Sequence, residues 1–97
     1  MDVVFVTKSG MVKRTSAEEF RKQGRGGGGV TAMGVGPGDA VVDAVALGNA
    51  QGVMVVTAGG AAIHFAAAEL RAMGRGAQGV RAIRLKEGDS VVAVVAA

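Results

Sequence analysis

A gap-free internal duplication constrains this chain more than any other feature of its sequence. Residues 1–47 align with residues 51–97 at a constant offset of fifty residues. The positions that keep the same residue include Val3 and Val53, Val6 and Val56, Thr7 and Thr57, Gly10 and Gly60, Glu19 and Glu69, Arg21 and Arg71, Gly38 and Gly88, and Asp39 and Asp89. A fixed period of this length is typical of units that stack or pack radially. We therefore expect two equivalent structural units, residues 1–50 and residues 51–97.

Each unit carries the sequence pattern of several short strands. Residues 3–7 are a β-branched run that ends at a Lys-Ser-Gly turn, and residues 11–15 follow as the return strand of a predicted hairpin. Further strands are predicted at residues 30–35 and 41–47, after a glycine-rich loop. The order recurs in the second unit, with strands predicted at residues 53–57, 61–65, 80–85 and 90–96 and a helix-prone stretch at residues 66–73. About four strands and one short helical turn are the content of a propeller blade.

The apolar core of this chain must be built from small side chains. Its 97 residues include 17 glycines, three phenylalanines and no tryptophan or tyrosine. Small side chains fill little volume, and short chains bury a smaller share of their surface than long ones. Two blades also do not close a ring. We therefore expect an all-β fold of two propeller-like blades, which completes its ring by association with other copies.

The sequence offers no recognisable reaction centre. His64 is the only histidine and stands beside Phe65, where a structural role is expected. Glu18 and Glu19 follow Ser16 at the spacing of a helix cap rather than as a catalytic pair. Without cysteine there is no thiolate metal site. We expect a cytoplasmic protein with no catalytic residue, no cofactor, no metal and no membrane partner, since no signal peptide or apolar span is present.

A glycine run that holds one arginine occurs in both units. Residues 24–30 read Gly-Arg-Gly-Gly-Gly-Gly-Val, and residues 74–80 read Gly-Arg-Gly-Ala-Gln-Gly-Val. Both satisfy the dinucleotide fingerprint G-x-G-x-x-G. That fingerprint requires a helix after the glycines, so that the helix N-terminus faces a pyrophosphate. Here each run leads into a predicted strand instead, and no Gly-Lys-Ser/Thr follows, so neither a dinucleotide site nor a Walker loop is favoured.

Two interpretations of the glycine runs remain. In the first, the glycines only permit positive φ and close packing of the chain. This leaves unexplained why Arg25 and Arg75 stand at equivalent positions. In the second, glycine amides and the arginine together hold a phosphate group, a contact that binds nucleic-acid backbone without reading its sequence. The net charge of +3 and the pI of about 10.0 fit a polyanionic partner, with an ordinary solvated surface as the alternative.

The chain resembles a known family over essentially its whole length. Residues 7–15, 19–21 and 23–30 resemble the repeat of the C-terminal domain of DNA gyrase A and topoisomerase IV, and residues 74–92 resemble a later repeat of that domain. The resemblance implies a β-pinwheel, a propeller-like ring whose blades exchange strands, which bends and wraps duplex DNA around a basic rim. It also implies about six repeats in the ring. A homotrimer of this two-repeat chain would supply that number.

The first glycine run departs from the pattern of that family. It corresponds to the GyrA box, whose usual form is Gln-basic-Arg-Gly-Gly-basic-Gly. Gly24 and Gly28 stand where basic residues are usual, which leaves Arg25 as the only charge. Each neutralised phosphate contributes about −0.9 to the slope of log affinity against log salt. We therefore expect weaker and less salt-dependent binding at this run than in a fully basic box.

These observations predict a non-catalytic module that contacts the backbone of duplex DNA. The predicted contact residues are the arginines, lysines and glycines of the two runs and their surroundings: Lys13, Arg14, Lys22, Arg25, Gly26, Gly29, Arg71, Arg75, Gly76 and Arg81. The alternative is a self-assembling β-propeller scaffold, or an engineered or reconstructed fragment, with little DNA binding.

Overall fold

A computed structural model describes residues 1–21, 33–74 and 76–97 of the protein. The elements in chain order are β1 (Asp2–Thr7), β2 (Met11–Ser16), α1 (Glu18–Arg21), β3 (Val41–Ala46), β4 (Gly52–Thr57), β5 (Ala62–Ala66), a 3-10 turn (Ala67–Glu69), β6 (Val80–Arg81) and β7 (Val91–Ala96). The strands form two antiparallel sheets, which confirms the predicted all-β pair of blades. In the described residues, no helix is long and apolar enough to cross a membrane.

The two repeats exchange a strand. The first sheet has the order β3-β1-β2-β6 and the second has the order β5-β4-β7. Strand β6 belongs to the second repeat, yet it pairs with β2 of the first, through Met11 with Arg81 and Val12 with Val80. The first sheet therefore contains four strands only because the second repeat contributes one. The division of the chain at residues 50 and 51 remains a prediction about sequence units.

A single apolar core lies between the sheets. Its buried residues are Val4, Val6, Val12 and Leu47 of the first repeat and Val53, Val55, Ala67, Leu70, Val91 and Val94 of the second. Because side chains alternate across a strand, β1 and β4 each present every second residue to this core. Burying one valine contributes about 1.5–3 kcal/mol. As the composition predicts, the core is made of small aliphatic side chains.

The turns of the two hairpins have matching hydrogen bonds. Oγ1 of Thr7 accepts the N–H of Met11, and Oγ1 of Thr57 accepts the N–H of Ala61, both at 3.0 Å. A carboxylate thirty residues further along closes each turn. Asp39 accepts the N–H of Ser9 at 3.0 Å, and Asp89 accepts the N–H of Gly59 at 2.8 Å. The sequence duplication is therefore also a duplication of local geometry.

The prediction of a strand at residues 80–85 is wrong beyond Arg81, because the neighbouring strand β2 ends there. Strand β6 runs antiparallel to β2, and Arg81 pairs with Met11, the first residue of β2. Residues after Arg81 therefore find no further backbone N–H or C=O groups of β2 with which to pair. The chain instead crosses the β1–β2 turn, where Ala82 donates its N–H to the carbonyl of Gly10 at 2.8 Å. Of the equivalent prediction at residues 30–35, residues 33–35 form no regular structure and the rest lie outside the described residues.

The helix-prone stretch at residues 66–73 forms only the 3-10 turn Ala67–Glu69. The backbone is drawn away from helical geometry by the first repeat. Ala72 forms a parallel bridge with Arg14, and the N–H of Met73 donates to the Arg14 carbonyl at 2.8 Å. These tertiary hydrogen bonds outweigh a weak helix propensity.

Candidate nucleic-acid interface

The second glycine segment, defined as Gly74 and residues 76–79, is fixed by contacts with the first repeat. On one side, Nζ of Lys13 donates to the carbonyl of Gly74 at 2.9 Å. On the other side, the N–H of Gly34 donates to the carbonyl of Ala77 at 2.9 Å. Within the segment, the N–H of Ala77 donates to the Gly74 carbonyl at 3.2 Å. The segment is thus held between β2 and the chain that follows the first glycine run.

The glycines of this segment differ in whether their surroundings leave room for a side chain. Gly79 has φ of +78°, and a Cβ there would stand 2.1 Å from the carbonyl oxygen of Val12. Only glycine fits that position, because a side chain would meet backbone that cannot move aside. At Gly74 and Gly76, in contrast, a Cβ would meet no atom within 4 Å. Packing therefore explains Gly79 but not Gly76. Gly76 is exposed, and its carbonyl packs against Gly34, where a Cβ would stand 2.6 Å from the Gly76 oxygen.

Two of the predicted contact residues are engaged within the protein. Lys13 is only 1% exposed, and its Nζ lies 6.0 Å from the ring centre of Phe5 as well as on the Gly74 carbonyl. This corrects the expectation that Lys13 belongs to an exposed rim. Arg14 donates from Nε to Oδ2 of Asp2 at 2.6 Å and from Nη1 to the carbonyl of Ala67 at 2.9 Å. Both side chains therefore hold the chain together in this conformation.

Two other predicted residues, Arg71 and Arg81, are exposed. Nη1 of Arg81 donates to the carbonyl of Ser9 at 3.1 Å, which leaves the rest of its guanidinium facing outward beside the β1–β2 turn. Gly76 is exposed as well. The structure thus brings Gly76 and Arg81 to the surface on the same stretch of the second repeat, three residues before and two residues after the fixed Gly79.

A basic strip that the sequence reasoning did not single out continues from Arg81. Arg84 and Lys86 are exposed, and Arg81 and Arg84 together line two shallow grooves, one of which also includes Leu85. We call Arg81, Arg84 and Lys86 the basic strip. The equivalent positions of the first repeat are Thr31, Gly34 and Gly36. This change from neutral to basic residues at one offset was the sequence signal for the strip.

The remaining predicted contact residues lie outside the part of the chain that the structure describes. They are Lys22, Arg25, Gly26, Gly29 and Arg75. Their contact with DNA stays a prediction. Among the described residues, no group of three histidine or acidic side chains is arranged to hold a metal ion. What the described geometry offers is an outward array of cations beside an immobilised glycine backbone, which suits an extended anion and not a small buried substrate.

Comparison with known proteins gives a consistent result. A family model described as the DNA gyrase C-terminal domain, a β-propeller, matches residues 2–47 and 53–97. The fold is similar to a solved structure of the DNA gyrase A C-terminal domain, with a TM-score of 0.79 and 28% identity over 96% of this chain. It is also similar to the crystal structure of the C-terminal domain of DNA topoisomerase IV, with a TM-score of 0.86 and 33% identity over 96% of this chain. This chain spans 30% and 28% of the length of those two structures. A search of curated proteins found no match.

Proposed function

The chain belongs to the DNA gyrase C-terminal domain family, and from that premise we propose that it is a non-catalytic module that binds the phosphate backbone of duplex DNA. The observation that carries this proposal is the basic strip, which lies next to the fixed second glycine segment. Arg81, Arg84 and Lys86 are exposed, and so is Gly76. Cations in such an arrangement position a protein on a duplex without reading its bases.

The mechanism of binding follows from charge and rigidity. Arginine takes two phosphate oxygens at once, and its guanidinium keeps its charge at any physiological pH. Because the second glycine segment is held by Lys13 and Gly34, its amides need no ordering when a phosphate arrives, which lowers the entropic cost of binding. Arg25 and Arg75 are proposed to reach phosphate from the two glycine runs, with Lys22 and Arg71 beside them.

The proposal extends to assembly. Two repeats give one four-stranded and one three-stranded sheet, which is an incomplete ring. We propose that copies of the chain associate to close it, with a homotrimer giving six blades. The competing function is a scaffold that assembles in this way without binding DNA. It is favoured by the neutral Gly24 and Gly28 in the first run and by the neutral residues that replace the basic strip in the first repeat.

A charge-matched pair of variants tests the DNA-binding proposal. Arg84→Ala is expected to weaken binding to unrelated duplexes to a similar degree, about threefold to tenfold, in line with the loss of about 1 kcal/mol for one exposed phosphate contact. Arg84→Ala with Glu18→Gln restores the net charge by neutralising an exposed glutamate far along the sequence. We expect this double variant to stay weak, because position and not net charge decides contact. Arg25→Ala with Arg75→Ala should also weaken all duplexes alike.

The measurement is fluorescence anisotropy with two duplexes of unrelated sequence at low salt. If the charge-restored variant bound as tightly as the unmodified protein, duplex binding would depend on net charge alone and not on a contact made by Arg84. If the unmodified protein did not bind at low salt, the scaffold function would replace the DNA-binding one.

A further inference from the structure

The two sheets pack against each other, each through one of its two faces. Partners in an antiparallel pair point to the same side of the sheet. On the first sheet, the face toward the second sheet carries Val4, Val6, Val12, Arg14, Asp43 and Val45. On the second sheet, the face toward the first carries Val53, Val55, Ile63, Phe65, Val94 and Ala96. Apolar members of both sets form the shared core, and Oδ2 of Asp43 accepts the N–H of Val94 across the contact at 3.0 Å.

The duplication makes this contact unsymmetrical. Val4 and Val6 of the first sheet correspond to Met54 and Val56 of the second, and these two lie on the opposite side of the second sheet from its buried face. The second sheet thus has an outer face made of the equivalents of the residues that the first sheet buries. We call it the trailing face, and it carries Met54, Val56, Ala62, His64, Ala93 and Val95.

The trailing face is suited to burial. Val95 is 41% exposed, and Met54, Val56 and Ala93 are half-buried. The two charged residues of the equivalent face on the first sheet, Arg14 and Asp43, correspond here to His64 and Ala93. The trailing face therefore buries no carboxylate or guanidinium when it is covered, which removes the main desolvation cost of such a contact.

The first sheet has a complementary outer face at the other end of the chain. We call it the leading face, and it carries Val3, Phe5, Ala44 and Ala46. These residues correspond to Val53, Val55, Val94 and Ala96, the residues with which the second sheet packs on the first. Ala44 and Ala46 are exposed. Lys13 and Thr15, which share this side of the sheet on β2, are buried within the chain, so the open part of the leading face lies on β1 and β3.

The strand exchange has the same direction as the face-to-face contact. Strand β2 receives β6 from the repeat that follows it. Strand β5 is the equivalent of β2, and in the described part of the chain it is the edge of its sheet. Unpaired backbone groups at a sheet edge favour addition of another strand. A repeat placed after the second one would therefore meet both the open edge of β5 and the trailing face.

We propose that a second copy of this chain fills that place, with its leading face packed on the trailing face in a head-to-tail contact. The apolar pairs of this contact correspond to those between the two repeats of a single chain, so Ala44 of the second copy takes the place of Val94 and meets Val95, the equivalent of Val45. The hydrogen bond from Val94 to Asp43 has no counterpart, because Ala93 replaces Asp43. Because the two faces differ, the contact is heterologous, and repeated addition gives a ring if the rotation closes. The inference rests on the self-assembly part of the proposed function and requires no DNA.

Two variants that each block one face test the direction of assembly. Ala44→Glu places a charge on the leading face and Val95→Glu places one on the trailing face, both at exposed positions where the fold tolerates it. At roughly 100 μM, far above the Kd of a micromolar interface, the unmodified protein is expected to be an oligomer by light scattering. Each variant alone is expected to have the monomer mass of 9.6 kDa. Their equimolar mixture is expected to form a dimer, because the free trailing face of Ala44→Glu meets the free leading face of Val95→Glu.

Each other outcome overturns a defined part of this inference. Circular dichroism first establishes that both variants keep the β-sheet signal. If either variant alone formed an oligomer, the head-to-tail contact would be wrong and the chain would self-assemble through another surface. A mixture that stays monomeric would overturn the pairing of these two faces. If the unmodified protein were monomeric, self-assembly itself would be wrong, and a different protein would have to cover the two faces. The DNA-binding proposal would not be affected.

Discussion

Nζ of Lys13 donates a hydrogen bond of 2.9 Å to the carbonyl oxygen of Gly74, a residue 61 positions away. Lys13 is 1% exposed, so this bond forms out of contact with bulk water. A hydrogen bond from a charged donor is stronger than one between neutral groups. The bond joins β2 of the first repeat to the second glycine segment, and we infer that Lys13 is a positioning residue for that segment.

Replacing Lys13 by methionine is expected to destabilise the protein by about 1–3 kcal/mol, because the Gly74 carbonyl loses a charged donor. Methionine keeps the long apolar stem, so the loss reports the hydrogen bond more than a cavity. Urea unfolding gives the free energy of unfolding, and amide hydrogen exchange is expected to quicken at Gly74 and at residues 76–79. Lys8→Met is the control, since Lys8 is exposed and its loss is expected to change stability by less than about 0.5 kcal/mol. Equal stability of the two variants would contradict the positioning role.

The burial of Lys13 also shows where sequence reasoning fell short. Its equivalent in the second repeat is Ile63, which packs against the core, but the two sheets bury opposite faces, so comparison of the repeats does not predict the burial of Lys13. Its Nζ bonds instead to Gly74, 61 residues away, a contact that no local sequence pattern indicates. The exchange of β6 was implied only by the family resemblance, because Val80 and Arg81 have the same strand pattern whether they pair within their own repeat or with β2. The paired hairpins β1–β2 and β4–β5 and the strands β3 and β7, in contrast, follow from local patterns and were predicted correctly.

Gly79→Ala is expected to destabilise the protein by at least about 2 kcal/mol, since a non-glycine residue at positive φ costs about 1–2 kcal/mol before any clash is counted. The clash is severe, because the new Cβ would stand 2.1 Å from the carbonyl oxygen of Val12. Gly76→Ala is the matched control in the same segment, as its Cβ meets nothing within 4 Å. Thermal unfolding of the two variants measures the difference. Similar melting temperatures would mean that residues 76–79 do not hold this conformation in solution.

Asp39 is expected to make the stability of the protein depend on pH in the acid range. Burial raises its pKa, but the hydrogen bonds from the Ser9 and Thr7 hydroxyls and from the amides of Ala40 and Ser9 outweigh burial, so the pKa lies below the ordinary value of 3.8. A carboxyl whose pKa is lower in the folded state stabilises that state above its unfolded pKa and loses the effect as the pH falls through its folded pKa.

Asp39→Asn is therefore expected to be less stable than the unmodified protein at pH 7, by about 1 kcal/mol for the loss of charged hydrogen bonds. The gap should shrink as the pH falls below about 4, where the unmodified carboxyl becomes protonated. Thermal unfolding at pH 7, 4 and 3 follows the gap. Glu18→Gln serves as the control, because Glu18 is exposed. A gap that stayed constant from pH 7 to pH 3 would show that the charge of Asp39 contributes nothing to the turn at Ser9.

Removing Arg81 and Arg84 together is expected to flatten the salt dependence of duplex binding. Both side chains are exposed, and they line the same two grooves. If each neutralises one phosphate, the slope of log affinity against log salt becomes shallower by about 1.8 in the double variant. Anisotropy titrations between about 50 and 200 mM salt give the slope. Lys8→Ala, which removes an exposed cation outside the basic strip, is expected to change it by less. An unchanged slope in the double variant would place both arginines on an ordinary solvated surface, because a cation that touches no phosphate releases no counterion from the DNA.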